Sequence, residues 1–245
     1  MEYRNEKGQL HREDGPAITI INGTKEWWFN GEYHREDGPA IIYPDGSQEW
    51  YISGRLHRED GPAIVNVDGS QYWYINGKLH REDAPAVIYV NELQEWWFNG
   101  QQHRKDGPAI VNVDGSQYWY INGKLHREDG PAATRTNGSQ EWWFNGEYHR
   151  EDGPAIIYPD GSQEWYINGK LHRKDGPAAV NADGSQEWWI NDKQYRDNDL
   201  PYILDKKKNT MTLANGGEVP MTDDDYEKYR YNPIGHFTKV ALREK

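Results

Sequence analysis

The sequence predicts an all-β fold: an elongated antiparallel β-meander or solenoid of eight to nine 23-residue repeats, closed by a small C-terminal cap. Three observations carry that expectation. His11, His34, His57, His80, His103, His126, His149 and His172 recur every 23 residues without a slip, and a fixed period of this length marks an array whose units bury apolar surface against their neighbours. Each copy holds two short runs of β-branched and aromatic residues, too short for independent helices. Gly-containing turn pairs separate the runs.

The chain opens half a repeat early, with Arg4 and Asn5 at the places that Trp50 and Tyr51 hold in a full copy. A polar first strand suits a terminal cap, because an exposed aromatic edge invites edge-to-edge association. In the copy that follows Pro39, Ala40 to Tyr43 and Gln48 to Ile52 read as strands. Asp45-Gly46 separates them and Ser53-Gly54 follows the second, the latter replaced by Asn-Gly at Asn76-Gly77, Asn122-Gly123 and Asn168-Gly169. Both pairs tolerate positive φ at the two central positions of a type I′ turn, so each copy is expected to add two strands to the meander. The segment His57-Arg58-Glu59-Asp60-Gly61-Pro62-Ala63 then enters the next copy through a bulge or kink, since Pro cannot donate to a ladder. A three-sided parallel β-helix is the rival geometry, because Asp60-Gly61, Asp68-Gly69 and Asn76-Gly77 divide a copy almost evenly. The hairpin meander ranks first, since two-residue turns of this kind usually close hairpins.

Two strands per copy at ~4.8 Å each give a twisted sheet on the order of 75 Å long. Trp27, Trp50, Trp73, Trp96, Trp119, Trp142, Trp165 and Trp188 stand sixteen places after each His, and a second, variable ring follows each one. Equivalent rings on successive copies lie ~10 Å apart, near enough for intervening side chains to bridge them into ladders. At the far end Tyr195 replaces the repeated His and Asp197-Asn198-Asp199-Leu200-Pro201 replaces the motif. The array is therefore assigned to residues 1–204 and a capping or docking segment to 205–245. That segment holds Lys206-Lys207-Lys208, a Gly216-Gly217 turn, and Thr222-Asp223-Asp224-Asp225, which resembles an N-cap and predicts a short helix from Asp223 to Tyr231.

Composition excludes several classes. Hydrophobic residues make up 35% of the chain and mean hydropathy is −1.10, yet 12 Trp and 17 Tyr are too many for a disordered chain. Forty acidic against 28 basic side chains, net charge −12, argue against a nucleic-acid binder that neutralises phosphates; an acidic surface that mimics nucleic acid stays open. With no Cys there is neither a disulfide framework nor a thiolate metal site. The first residues lack an apolar signal region and no run of 18 apolar residues occurs, so a cytoplasmic protein without a membrane span is expected, in a host cytoplasm if the protein is viral.

The run Trp-Tyr-Ile-Asn-Gly-Lys-Leu-His, followed by Gly, an apolar strand and Tyr-Pro-Asp-Gly-Ser, resembles the MORN repeat family in length and register, over about residues 3 to 195. The second Gly of that family's usual His-Gly-x-Gly stretch is absent, and Arg-Glu-Asp-Gly-Pro-Ala stands there. This variant resembles repeats in proteins of bacteriophages and large DNA viruses. The resemblance implies an antiparallel β-meander used for protein binding, scaffolding and sometimes membrane attachment, and implies no catalytic residues.

The His/Arg/Asp sets, such as His34, Arg35, Asp37 and His57, Arg58, Asp60, invite a reading as metal ligands or an acid/base pair. A set repeated in every copy instead behaves structurally, whereas a catalytic centre needs an unequal group converging at one place. His, Arg and Asp are thus expected to tie down the kinked segment, and Trp50 and Trp73 to pack between strands, with no metal, cofactor or catalysis. The variable rings, Trp28, Tyr51, Tyr74, Trp97, Tyr120, Trp143, Tyr166 and Trp189, are the candidate partner surface. Further variation falls at Glu49/Tyr72/Tyr118 and Glu59/Lys105/Lys174, and Ala84 alone departs from the Gly of the motif. The leading expectation is a non-enzymatic scaffold that binds a protein over many copies, in its sharper form a phage or viral protein that blocks a host defence component. The alternatives are a self-associating building block, hence a homo-oligomer, and a protein that sequesters a nucleotide or glycan in aromatic grooves. Residues 29–52 and 144–167 are identical, as are 65–83 and 111–129, which points to duplication of whole copies.

Overall fold

A computed structural model describes residues 2–195, 203–205, 210–212, 218–220 and 222. Two compact units make up the chain, Met1–Thr136 and Asn137–Lys245. Both are built of short antiparallel strands, and no helix occurs among the described residues. Antiparallel pairing throughout removes the parallel β-helix.

Each full copy contributes four two-residue strands where the sequence predicts two. In one copy of the first unit these are Ile41–Ile42, Gln48–Glu49, Tyr51–Ile52 and Arg55–Leu56. The first two pair with each other and Gln48–Glu49 then pairs with Ile64–Val65 of the next copy, which makes a meander. The last two close a separate hairpin, Tyr51 opposite Leu56. Hairpins are joined to one another by Gly77 N–H donating to Leu56 C=O at 2.8 Å and Arg58 N–H to Tyr74 C=O at 3.0 Å. The second unit repeats the pattern at Ile156–Ile157, Gln163–Glu164, Tyr166–Ile167 and Lys170–Leu171.

Trp50 is where the predicted single strand breaks. Its N–H donates to Ala63 C=O in the meander at 2.8 Å, while its C=O accepts from His57 N–H at 3.0 Å beside the hairpin. The residue is thus shared between two sheets, and its neighbours on either side pair in different ones. Only small side chains fit beneath this corner. Ala17, Ala40, Ala63, Ala86, Ala109, Ala132, Ala155 and Ala178 are all fully buried, and among the described residues Val87 is the largest fully buried side chain. A core of this kind explains how a chain so poor in aliphatic residues folds: burial is spread over many thin contacts between copies.

The two turn types differ. Ser53 and Gly54 have φ of 48° and 71°, both positive as a type I′ turn requires. Of Asp45-Gly46 only Gly46 is positive, at 95°. There Gly46 N–H donates to Tyr43 C=O at 3.1 Å and Tyr43 N–H to Ser47 C=O at 3.0 Å, a type I turn followed by a G1 bulge, so the expected type I′ turn is corrected at this position. Asp45 Oδ1 fastens the turn by accepting from Ser47 N–H at 2.8 Å.

At the start of the chain Tyr3, not Arg4, takes the Trp place, with its N–H donating to Ala17 C=O and its C=O accepting from His11 N–H. The following turn holds one more residue than its equivalents and closes through Gly8 N–H to Asn5 C=O and Asn5 N–H to Gln9 C=O. In the second unit Gln186–Ile190 is one five-residue strand paired with Lys193–Tyr195. Beyond it Ile203–Asp205, Thr210–Thr212 and Glu218–Pro220 form a three-stranded antiparallel sheet that the sequence reading did not foresee. The lysine run at 206–208, the Gly216-Gly217 turn and the helix expected from Asp223 to Tyr231 lie outside the described residues. No helix among the described residues is long and apolar enough to cross a membrane.

Candidate functional site

Each copy builds a cluster around one Arg, the same in seven of the eight copies and lacking the bond to Asp at Arg81. The guanidinium lies flat against the Trp ring eight residues before it, as with Arg58 Cζ at 4.2 Å from the Trp50 ring centre, and all eight such stacks fall between 4.0 and 4.3 Å, Tyr3 serving for Arg12. Arg58 Nε donates to Asp60 Oδ1 at 2.9 Å and Nη1 to Pro62 C=O at 3.3 Å. The same bonds join Arg35 to Asp37 and Pro39. Bonding to Arg58 holds the Asp60 carboxyl below the usual carboxylate range. Gly61 is present for room rather than for φ: a Cβ there would sit 2.9 Å from Arg58 Cζ.

The His side chain works across copies. His57 Nδ1 accepts the backbone N–H of Asn76 at 3.2 Å, at the first position of the next hairpin turn, and His34 accepts from Ser53 at 3.1 Å. His57 Nδ1 also lies 3.1 Å from Asn76 Oδ1, and its Nε2 faces Glu59 Oε1 at 3.8 Å. Trp73 repeats the Trp50 arrangement with Arg81 over its ring at 4.0 Å and its N–H on Ala86 C=O. No group of three or more His, Cys, Asp or Glu converges on a metal-sized site among the described residues.

The variable rings are half-buried, and some stack with their neighbours. Tyr33 stands between Trp28, with ring centres 3.8 Å apart, and Tyr51, at 5.2 Å; Tyr148 stands likewise between Trp143 and Tyr166. Their polar atoms reach a Glu two residues earlier: Trp28 Nε1 donates to Glu26 at 2.9 Å, Tyr51 OH to Glu49 at 3.0 Å, Trp97 Nε1 to Glu95 at 2.7 Å, Trp143 Nε1 to Glu141 at 3.1 Å and Trp189 Nε1 to Glu187 at 3.0 Å. Tyr74 and Tyr120 instead follow Tyr72 and Tyr118, so no carboxylate stands at that place. The sequence marked Glu49/Tyr72/Tyr118 as a variable place without giving the Glu its role as acceptor, although this paired change within single copies is the signal for it.

Burial, reinforced by the Glu26 and Glu49 carboxylates, pushes Tyr33 and Tyr43 up to about 12 and raises Tyr51 as well. Burial likewise raises Tyr74 and Tyr120. A folded-state phenol pKa above the unfolded value of about 10 contributes stability that is fully present below pH ~10 and lost as pH rises toward 12. Alkaline titration is therefore expected to show tyrosinate absorbance appearing late and together with loss of near-ultraviolet circular dichroism. Full ionisation near pH 10 with the fold intact would contradict this placement of the rings.

Two features face outward. The Glu–Asp pair that follows the Arg in six copies is exposed, as at Glu36 and Asp37, whose side chains are 85% and 83% exposed. On the turn edge of the first unit Ile21, Val67, Val90 and Val113 are exposed apolar knobs. Between successive motif loops lie grooves: one of about 440 Å³ in the first unit includes Arg81, Trp96, Phe98, His103 and Lys105, and one of about 570 Å³ in the second includes Arg150, Trp165, Ile167, His172 and Lys174. No known family model matches this chain, and no curated protein matches it.

Proposed function

We propose that this chain is a non-enzymatic scaffold that binds a protein partner with a basic face through several copies at once. The observation that carries this reading is how each copy divides its side chains. His, Arg and Trp are engaged inside and between copies, whereas the acids after the Arg, a Glu–Asp pair in six of the eight copies, stay largely exposed even where the Asp is bonded to its Arg, as at Glu59 and Asp60. A basic surface meeting several such pairs gains avidity from contacts that are individually weak. Its association should be fast and salt-sensitive, since exposed charges more than about 8 Å apart are screened at physiological ionic strength. The sharper form, a phage or viral protein that blocks a host defence component from within the host cytoplasm, rests on the resemblance of the repeat motif.

The test compares the parent with a triple variant, Glu13→Gln, Glu36→Gln and Glu59→Gln, as bait in affinity capture from cell extract, with light scattering of the purified bait. The expected result is a stoichiometric companion from the parent that raised salt releases and that the triple variant recovers about tenfold less well. A companion indifferent to both salt and the variant would sink the acidic-pair reading. Large homo-oligomers with no companion would replace it with the self-associating building block.

A further inference from the structure

Two departures from the repeat converge on one groove. Seven copies carry Gly four residues after His, where a Cβ would come within 2.8–3.1 Å of the Arg Cζ. The copy that begins at His80 carries Ala84 there. Its Arg81 keeps the bond from Nη1 to Pro85 C=O at 3.1 Å and the stack over Trp73 at 4.0 Å. Among the described residues, however, no carboxylate pairs with it, whereas the other seven arginines bond Asp through Nε at 2.7–3.1 Å. A methyl group has displaced the guanidinium from its counter-ion and left its Nε–Nη2 edge unused.

The next copy changes the charge opposite. Lys105 stands where six copies have Glu, and it shares the groove of about 440 Å³ with Arg81. That volume lies in the range of small-molecule pockets, about 300–1,000 Å³. Phe98, 39% exposed, supplies apolar wall, beside Trp96 with the Arg104 guanidinium over its ring at 4.0 Å. Of the acids at the groove, Asp106 is taken by Arg104 at 3.1 Å, while Glu82 and Asp83 turn to solvent. The groove in the second unit has Lys174, but there Gly153 is retained and Arg150 stays on Asp152 at 2.8 Å.

We propose that the groove between Arg81 and Lys105 is a binding site for a phosphate monoester carried on a flat apolar body, the class of a nucleoside monophosphate. A guanidinium edge with two free N–H groups matches two phosphate oxygens, and a lysine ammonium neutralises the second charge of the dianion. The exposed Phe98 ring takes the body of the ligand. The site goes beyond the protein-binding reading and stands or falls separately from it, because Glu13, Glu36 and Glu59 are not part of the groove.

Calorimetric titration of the full chain with adenosine 5′-monophosphate, adenosine and inorganic phosphate tests it. The variants are Ala84→Gly and Lys105→Glu, each of which restores the residue most other copies carry and so preserves the fold. The expected result is a single site for the monophosphate in the parent, weaker binding of either fragment, and affinity reduced about tenfold or more by each variant. Monophosphate binding that persists unchanged in both variants would overturn the assignment. So would adenosine binding as tightly as the monophosphate, or an absence of binding at millimolar monophosphate.

Discussion

Trp50→Ala is expected to destabilise the first unit by about 3–5 kcal/mol, in the range for emptying a large aromatic site and a large share of the roughly 5–15 kcal/mol that holds an ordinary domain together. The ring does three things at once. It covers the corner where the chain passes from the meander, through N–H to Ala63 C=O, to the hairpin, through C=O to His57 N–H. It gives Arg58 the flat surface on which the guanidinium rests at 4.2 Å, and Arg58 in turn fixes Asp60 and Pro62. It also fills space that nothing else on the chain fills, since Ala63 beside it is already fully buried and methyl-sized. Trp50→Phe keeps a ring for the cation and should recover much of the loss. Urea denaturation of both variants reads the difference directly, and a cost for Trp50→Ala below about 1 kcal/mol would show that the corner is held by its backbone bonds alone. Because copies contact only their neighbours, hydrogen exchange should quicken most in the copies that flank residue 50 and little toward Ile110.

Much of this was legible in the sequence because the period, the antiparallel hairpins and the Trp column are local facts repeated many times. The break at Trp50 was not, because what splits Gln48–Ile52 is a bond to Ala63, thirteen residues on, and the residues themselves alternate like one strand. The turn types were misread for a different reason. Asp45-Gly46 and Ser53-Gly54 look alike as dipeptides, but the paired residues around the first, Ile42 and Gln48, leave a longer loop than Ile52 and Arg55 around the second. The longer loop admits a type I turn with a bulge, and the extra residue after Tyr3 converts that hairpin in the same way. The motif Gly was visible and its purpose was not: it leaves room for the Arg guanidinium, and Ala84 is the sequence's one trace of that constraint. Likewise the spacing of His57 gives no hint that its partner is Asn76 of the following copy, because an equivalent residue, Ser53, lies nearer in its own copy.

Those cross-copy bonds lead to the second large effect. Deleting residues 57–79, one whole period within the first unit, is expected to leave a cooperatively folding protein with its near-ultraviolet tryptophan signal intact and a melting temperature within about 5 °C of the parent. After the deletion His80 follows Leu56, and every partner lost has a counterpart 23 residues on. Gly100, which donates to Leu79 C=O, finds Leu56 C=O instead, and Arg81, which donates to Trp97 C=O, meets the same carbonyl as before. Deleting only residues 57–68 should be ruinous. It removes Ile64–Val65 and the Arg58 cluster but keeps Gln71–Tyr72, so two strands that run in the same direction, Gln48–Glu49 and Gln71–Tyr72, would become neighbours in an antiparallel sheet. The side chains on that strand would also lose their cross-strand partners, and the half-deletion is expected to aggregate or lose its near-ultraviolet signal altogether. Circular dichroism and light scattering of the two deletions, side by side, separate the cases. If both fold, stability does not depend on the order of the copies; if neither does, the copies are bound into a larger cooperative whole, and the identity of residues 29–52 with 144–167 cannot have arisen by inserting whole units into an already folded array.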